Sequence, residues 1–204
     1  MNPRTEAAPA LPLREPLLRS IQRALSAHER RTVDIPRRRQ AAVLLPLFER
    51  NEEPWLVLTK RTDRVRSHKG EIAFPGGARD PEDPDLWSTA VRETYEEIGV
   101  EPARVQQLGA LDDLPTFGSG FIVAPFVAAI DPPLQWTTSE DEIEYVIELP
   151  LRALIAAHKI EVWEREGIKY PMHQFLVDGH LVWGLTAFIL RRFLDAAGPA
   201  LEGG

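Results

Sequence analysis

The chain has 204 residues, 44% apolar and 27% charged, which are the proportions of a globular domain and exclude a disordered, collagen-like or coiled-coil protein. The absence of cysteine excludes disulfide scaffolds, thiol nucleophiles and cysteine-based zinc sites, and the net charge of -7 argues against a nucleic-acid partner. Because no apolar stretch is long enough for a membrane span or a secretory signal, we expect a cytoplasmic protein without a membrane partner.

The first elements in chain order are an amphipathic helix and a pair of strands. Residues 1–12 predict a loose tail, and apolar residues recur at helical spacing over residues 13–27. Short apolar runs at 41–48 and 55–59 predict two strands, joined by the charged turn 49–54.

A mixture of helices and strands follows to the end of the chain. A helix is predicted over 86–98, with Asp85 as its N-cap and Gly99 as the left-handed residue that ends it. We expect Gly198 and Pro199 to end the last helix. This mixture favours an α/β fold in which helices cover a sheet. The other predicted elements are strands at 105–111, 121–130, 143–148, 160–163, 174–177 and 180–182, and helices at 151–158 and 186–197.

Charged residues are concentrated in three blocks. Residues 80–101 hold eight acids and one cation, Arg92, for a sum of -7. Just upstream, residues 60–69 hold five cations against Asp63, and residues 140–148 hold five acids and no cation. A basic segment therefore precedes an acidic helix.

Three carboxylates share one side of that helix, because Glu93, Glu96 and Glu97 lie three and four residues apart. Two such charges about 5 Å apart repel by about 3 kcal/mol at an effective dielectric near 20. Arg92 can pair with Glu96, which leaves Glu93 and Glu97 without a local cation. A divalent ion that prefers oxygen ligands, Mg²⁺ or Mn²⁺, would relieve the repulsion. The alternative is an acidic helix face in solvent.

The segment 76–100 resembles the signature of the Nudix hydrolases, which reads G, five residues, E, seven residues, REUxEExGU, with U apolar. Two departures stand out: Thr94 replaces an apolar residue, and Asp83 replaces the first Glu, one residue farther from Arg92 than usual. The matching residues are Arg92, Glu93, Glu96, Glu97, Gly99 and Val100.

The segment 58–77 resembles the coenzyme A pyrophosphatase branch of that family, which reads LLTxRxxxLRxHxGxxxFPGG. Val65 replaces a Leu of that pattern. The ten matching residues are Leu58, Thr59, Arg61, Arg66, His68, Gly70, Phe74, Pro75, Gly76 and Gly77.

The resemblance implies a fold, an activity and a cofactor. The fold is the Nudix α/β/α sandwich around a mixed β-sheet over residues 31–204, preceded by a tail and amphipathic helix over 1–30. The activity is hydrolysis of the diphosphate of coenzyme A or its derivatives, giving 3',5'-ADP and 4'-phosphopantetheine or its acyl form. The cofactor is Mg²⁺ or Mn²⁺.

The resemblance also assigns roles to residues of this chain. Glu142 is expected to be the general base, with Glu140 and Glu144 as rivals, and Glu96 is expected to take part in catalysis. His68 either orients a phosphate or is structural. The metal ligands would be Glu93, Glu96, Glu97 and the Gly77 carbonyl, and the substrate phosphates would bind Arg61, Arg64, Arg66, His68 and Lys69.

Two other functions stay open. Pro115, fifteen residues beyond Val100, resembles a placement found in ADP-ribose hydrolases. A nucleotide-binding regulator without turnover is the other alternative, although such a domain would be expected to lose metal-binding acids that this chain keeps. The N-terminal helix could pack within the chain or form a dimer, so a monomer and a homodimer are both expected possibilities.

Overall fold

The computed structural model describes residues 8–64, 70–116, 118–133, 135–165 and 167–202. Its helices are α1 (Glu15–Ser26), α2 (Leu86–Ile98), α3 (Leu151–Ala157) and α4 (Gly184–Glu202), with a 3-10 turn at Pro102–Arg104. Its first strands are β1 (Arg39–Arg50), β2 (Glu53–Arg61), β3 (Ile72–Ala73), β4 (Gly76–Ala78), β5 (Val105–Ala110) and β6 (Leu114–Pro115). The later strands are β7 (Phe121–Ile130), β8 (Ile143–Pro150), β9 (His158–Arg165), β10 (Ile168–Val177) and β11 (His180–Val182).

Strand β1 is the centre of an eight-stranded mixed sheet. It pairs antiparallel with β2 and β4 and parallel with β7. Strands β3 and β8 extend the sheet from β2, and β5 and β6 extend it from β7. Every other strand pair in the described part of the chain is antiparallel. The predicted mixed sheet is confirmed.

The two faces of β1 pack against different helices, because side chains alternate along a strand. Leu44 packs in a cluster with Ala90 of α2, whereas Leu45 and Leu47 pack in the largest core cluster. That largest cluster includes Ile21 of α1 and residues of α3 and α4. The sheet therefore lies between α2 on one side and the other helices on the opposite side, as the predicted α/β/α sandwich requires.

A second antiparallel sheet, in the order β11, β10, β9, follows the main sheet. Phe175, Val177 and Val182 on this sheet are buried in the same core cluster as Phe193 of α4. The helix α1 joins that core through its apolar stripe and packs against α4 and β5. Packing within the chain, one of the two roles expected for this helix, is therefore observed.

The end of the last helix was predicted wrongly. Helix α4 continues through Gly198 and Pro199 to Glu202, because Gly198 does not adopt a positive φ and Ala200 and Leu201 pack against the core. The packing of Ala200 and Leu201 offsets the loss of the backbone hydrogen bond that a proline cannot donate. No helix in the described ranges is both long and apolar enough to cross a membrane.

Candidate active site

Helix α2 has the limits that its sequence predicts. The Asp85 carboxylate accepts a hydrogen bond from the Ser88 backbone N–H at 2.8 Å, and Gly99 ends the helix at φ +74°. Thr94, which departs from the apolar residue of the Nudix signature, is buried, and its hydroxyl donates to the Ala90 carbonyl at 2.7 Å. A polar residue is tolerated there because its hydroxyl is hydrogen-bonded within the helix.

Glu97 is the most buried carboxylate of the site, with 3% of its surface exposed. It accepts hydrogen bonds from the Arg61 guanidinium and from the Gly76 backbone N–H, both at 3.1 Å. Burial raises the pKa of Glu97 to about 7, although Arg61 and the Gly76 N–H act in the opposite direction. The protonated and charged forms of Glu97 are therefore both populated near neutral pH.

The paired glycines of β4 allow the backbone to approach both the sheet and the helix. Gly76 has φ +150°, and a Cβ on it would lie 2.3 Å from the Ala42 carbonyl oxygen. A Cβ on Gly77 would lie 2.4 Å from the carboxyl carbon of Glu93. Because both positions exclude a side chain, the Glu93 carboxylate lies directly against the Gly77 backbone. The structure thus brings together two of the predicted metal ligands.

Arg92 contacts both Glu93 and Glu96 through the same nitrogen, Nη1, at 3.0 and 3.1 Å. The predicted pair with Glu96 is present, but the expectation that Glu93 lacks a local cation is wrong, since Arg92 contacts it as well. Arg61, far upstream in the chain, supplies the cation for Glu97. The helical spacing could not reveal that contact, since it depends on the pairing of β2 within the sheet.

Asp83 is a buried residue of the site to which the sequence assigned no role. Its carboxylate accepts hydrogen bonds from Arg92 Nε at 3.0 Å and Nη2 at 2.9 Å, and from the Thr89 hydroxyl at 2.9 Å. The Arg92 guanidinium holds the pKa of Asp83 well below its usual range. Asp83 occupies the position of the first Glu in the Nudix signature, and that position could have indicated its place in the site.

Glu142 lies at the edge of this group and is half exposed, with its carboxylate 3.5 Å from Arg61 Nη2. Arg61 therefore bridges Glu97 and Glu142, and the predicted base is within the same group of side chains as the helix carboxylates. Glu96 is also half exposed. The rivals Glu140 and Glu144 are exposed.

The basic segment is described only in part. Arg61 lies in the site, and Arg64 is exposed, 4.0 Å from Asp141. The other three residues predicted to bind substrate, Arg66, His68 and Lys69, lie outside the described residues.

The donor set suits a hard divalent cation. Burial raises the pKa values of Glu93 and Glu97, because it removes water from their carboxylates. A bound divalent cation would stabilise the charged form of each carboxylate. The nearby donors are all oxygen atoms. Within the described ranges, no group of three acidic or histidine side chains is already arranged around a common point, because Arg61 and Arg92 hold these carboxylates.

The chain thus has a mixed sheet between helices, with clustered carboxylates on one helix and glycines facing them. Residues 37–170 match the family described as NUDIX domain, and the chain belongs to that family. It is therefore a Nudix pyrophosphatase, and the enzyme class predicted from the sequence is confirmed.

Two relatives carry the name "Uncharacterized Nudix hydrolase NudL". The protein from Enterobacter sp. (strain 638) is 40% identical over 161 residues, which cover 78% of this chain and 82% of the relative. The protein from Salmonella paratyphi B is 40% identical over 156 residues, covering 75% and 80%.

A solved structure shows the same fold. It is a MutT/nudix family protein from Enterococcus faecalis, with a TM-score of 0.53 and 15% sequence identity, covering 87% of this chain and 66% of that one. At this identity, the similarity supports the α/β/α architecture and says nothing about the substrate.

Proposed function

We propose that the protein hydrolyses the diphosphate of coenzyme A and its derivatives to 3',5'-ADP and 4'-phosphopantetheine, or its acyl form. The proposal includes Mg²⁺ or Mn²⁺ as cofactor, a cytoplasmic location, and a monomer or homodimer. The observation that carries it is the 3.1 Å contact between Arg61 and Glu97. Arg61 belongs to the segment that resembles the coenzyme A branch, and Glu97 belongs to the Nudix signature, so the two motifs meet at one site.

Carboxylates and a backbone oxygen on two elements would hold the metal. Glu93, Glu96 and Glu97 of α2, with the Gly77 carbonyl of β4, are the proposed ligands. A bound divalent cation would polarise the diphosphate and lower the pKa of a water molecule. Arg92 orients Glu93 and Glu96 through its shared Nη1 contacts, and Asp83 fixes Arg92 from the buried side.

Arg61 and Glu142 supply the remaining chemistry. Arg61 donates charge-assisted hydrogen bonds, and its guanidinium suits a diphosphate oxygen as well as a carboxylate. Glu142, at the exposed edge, accepts a proton from the attacking water. The bond from the water oxygen to phosphorus forms while the bond from phosphorus to the bridging oxygen breaks, and the bridging oxygen leaves on the departing phosphate.

A substrate panel tests the proposal. With Mn²⁺ present, we expect kcat/KM for coenzyme A to exceed that for ADP-ribose by about tenfold or more, or about 1.4 kcal/mol. The reverse order would favour the ADP-ribose alternative that Pro115 suggests. A regulator without turnover is not favoured, because Glu93, Glu96 and Glu97 are all present.

The contribution of the basic segment is tested separately. Arg64→Ala should raise KM more for coenzyme A than for 3'-dephospho-coenzyme A, by about threefold to tenfold, because only the former carries the 3'-phosphate. Arg152→Ala is the matched control, since Arg152 is similarly exposed and pairs with Glu53 on a different part of the surface. Equal effects of Arg64→Ala on both substrates would contradict a 3'-phosphate role.

A further inference from the structure

A surface pocket of about 350 Å³ opens beside the C-terminal turn of α2. The pocket is large enough to enclose part of a small-molecule ligand. One wall is the ring of Tyr95, which is 45% exposed. The pocket is also lined by Glu96, Glu101, Thr137, Thr138 and Ser139.

Glu97 connects this pocket to the active site. Its backbone carbonyl accepts a hydrogen bond from the Ser139 N–H at 3.1 Å, and its carboxylate accepts from Arg61. The loop that begins at the pocket continues to Glu142, which lies 3.5 Å from Arg61, and includes Asp141, which lies 4.0 Å from Arg64. The pocket and these two arginines therefore lie at opposite ends of one loop, and Glu97 contacts both Ser139 and Arg61.

The pocket and the basic segment differ in charge. Glu96 and Glu101 supply carboxylates to the pocket, and none of the described residues that line it is a cation. Glu101, which is not among the proposed metal ligands, would repel a dianionic phosphate there. Hydroxyl groups, a carboxylate and an aromatic ring suit an uncharged chain that carries amide N–H and hydroxyl groups.

We propose that this pocket binds the uncharged pantetheine arm next to the diphosphate, and that the 3'-phosphorylated adenosine end lies on the side of Arg61 and Arg64. The assignment rests on the proposed coenzyme A function and adds an orientation for the substrate. The residues that determine this orientation are Tyr95, Thr138 and Glu101 on one side and the two arginines on the other.

The two halves of the substrate provide the test. Inhibition constants for 4'-phosphopantetheine and 3',5'-ADP are measured with Mn²⁺ for the full chain and for two variants. Tyr95→Ala removes one wall of the pocket, and Thr138→Trp fills the pocket. We expect both variants to weaken inhibition by 4'-phosphopantetheine by about tenfold and inhibition by 3',5'-ADP by less than about twofold. A change confined to 3',5'-ADP, equal changes for both, or no change would overturn the assignment.

Tyr145→Ala is the matched control, because Tyr145 is a comparably exposed tyrosine on β8 that contacts His180 rather than the pocket. It should leave both inhibition constants unchanged. Circular dichroism and thermal melting of each variant show whether it is folded, and the two pocket variants alter the pocket in opposite ways, so one misfolded variant does not remove the test.

A charge reversal distinguishes the two ends of the substrate. In Glu101→Lys, an adenosine end in the pocket would gain an attractive contact with its 3'-phosphate, so the preference for coenzyme A over 3'-dephospho-coenzyme A would rise. We expect that preference to stay within about twofold of the wild-type value. An increase of about fivefold or more would overturn the orientation.

Failure of the orientation differs from failure of the proposed function. A wild-type protein that does not hydrolyse coenzyme A overturns the proposed function and the pocket assignment with it. A wild-type protein that hydrolyses coenzyme A, but whose pocket variants leave 4'-phosphopantetheine inhibition unchanged, overturns the pocket assignment alone.

Discussion

Asp83 shows how one buried carboxylate organises the active-site helix at the scale of a residue. It accepts two hydrogen bonds from Arg92 and further ones from the Thr89 hydroxyl and the Asp80 backbone N–H. Arg92 in turn contacts Glu93 and Glu96. The ion pair between Asp83 and Arg92 therefore forms although their spacing departs from the signature.

Removing the charge of Asp83 should destabilise the fold. Asp83→Asn leaves Arg92 with a weaker partner in a buried position, so we expect the free energy of unfolding at pH 7 to fall by about 3 kcal/mol, measured with urea. Because the folded pKa is lowered from 3.8, the stabilisation is present above about pH 4 and is lost as pH falls further. Asp80→Asn is the control, since Asp80 is exposed and lies 3.7 Å from Arg92. An effect as large in the control would contradict a specific role for Asp83.

For Glu97 in the metal-free protein, we expect the opposite dependence of stability on pH. Burial raises this pKa to about 7 from 4.5, so the folded state holds the proton more tightly than the unfolded state. Stability should therefore fall as pH rises from about 4.5 to about 7, by about 3 kcal/mol from this group alone.

Glu97→Gln checks this sign, because the amide does not titrate. With chelator present, the loss of unfolding free energy between pH 5 and pH 8 should be smaller in this variant than in the wild type by about 1–3 kcal/mol. Glu96→Gln, at a half-exposed position, should keep the wild-type slope. If Glu97→Gln also keeps that slope, burial does not raise the pKa of Glu97.

At the scale of elements, the contact between α1 and β5 depends on a glycine. A Cβ on Gly109 would lie 2.7 Å from Leu25 Cβ, so this close approach of helix to strand leaves no room for a side chain. Ile21 and Leu25 of α1 are buried in the largest core cluster. The amphipathic helix is therefore part of the main core.

Two glycine substitutions should change stability with opposite signs. Gly109→Ala should lower the free energy of unfolding by about 1–3 kcal/mol, because the added methyl group displaces α1. Gly198→Ala should raise it by about 0.5–1 kcal/mol, because Gly198 lies inside α4 and nothing is near its Cβ position. Urea denaturation measures both. A loss of stability in Gly198→Ala would contradict continuation of α4 through this residue.

Elements were predictable where local chemistry determines them. Helix α2 begins and ends as predicted, because Asp85 and Gly99 form its caps. The end of α4 was not predictable, because packing of Ala200 and Leu201 after the proline decides it. In the site, the carboxylates could be found from their spacing, but the Arg61 contact with Glu97 could not, since strand pairing creates it.

In the molecule as a whole, the sheet brings residues from the basic block, the acidic helix and the second acidic block together in one site. Arg61 ends β2, Gly76 begins β4, and both contact Glu97 of α2, while the loop before β8 adds Glu142. In this conformation, Arg61 and Arg92 contact all three carboxylates of the helix. A divalent cation would compete with those arginines for the carboxylates, so metal binding and stability should be coupled.

Adding Mn²⁺ should therefore stabilise the protein through the helix carboxylates. At a metal concentration of about 100 times Kd, the free energy of unfolding should rise by about 2.7 kcal/mol, measured by urea denaturation at pH 8. The gain should fall below about 1 kcal/mol in Glu97→Gln, because that variant loses a buried anionic ligand. Glu140→Gln changes an exposed acid in the loop and should keep the full gain. Equal stabilisation of wild type and Glu97→Gln would place the metal elsewhere and remove Glu97 from the proposed ligand set, whereas a loss confined to that variant would show that the metal stabilises the fold through Glu97.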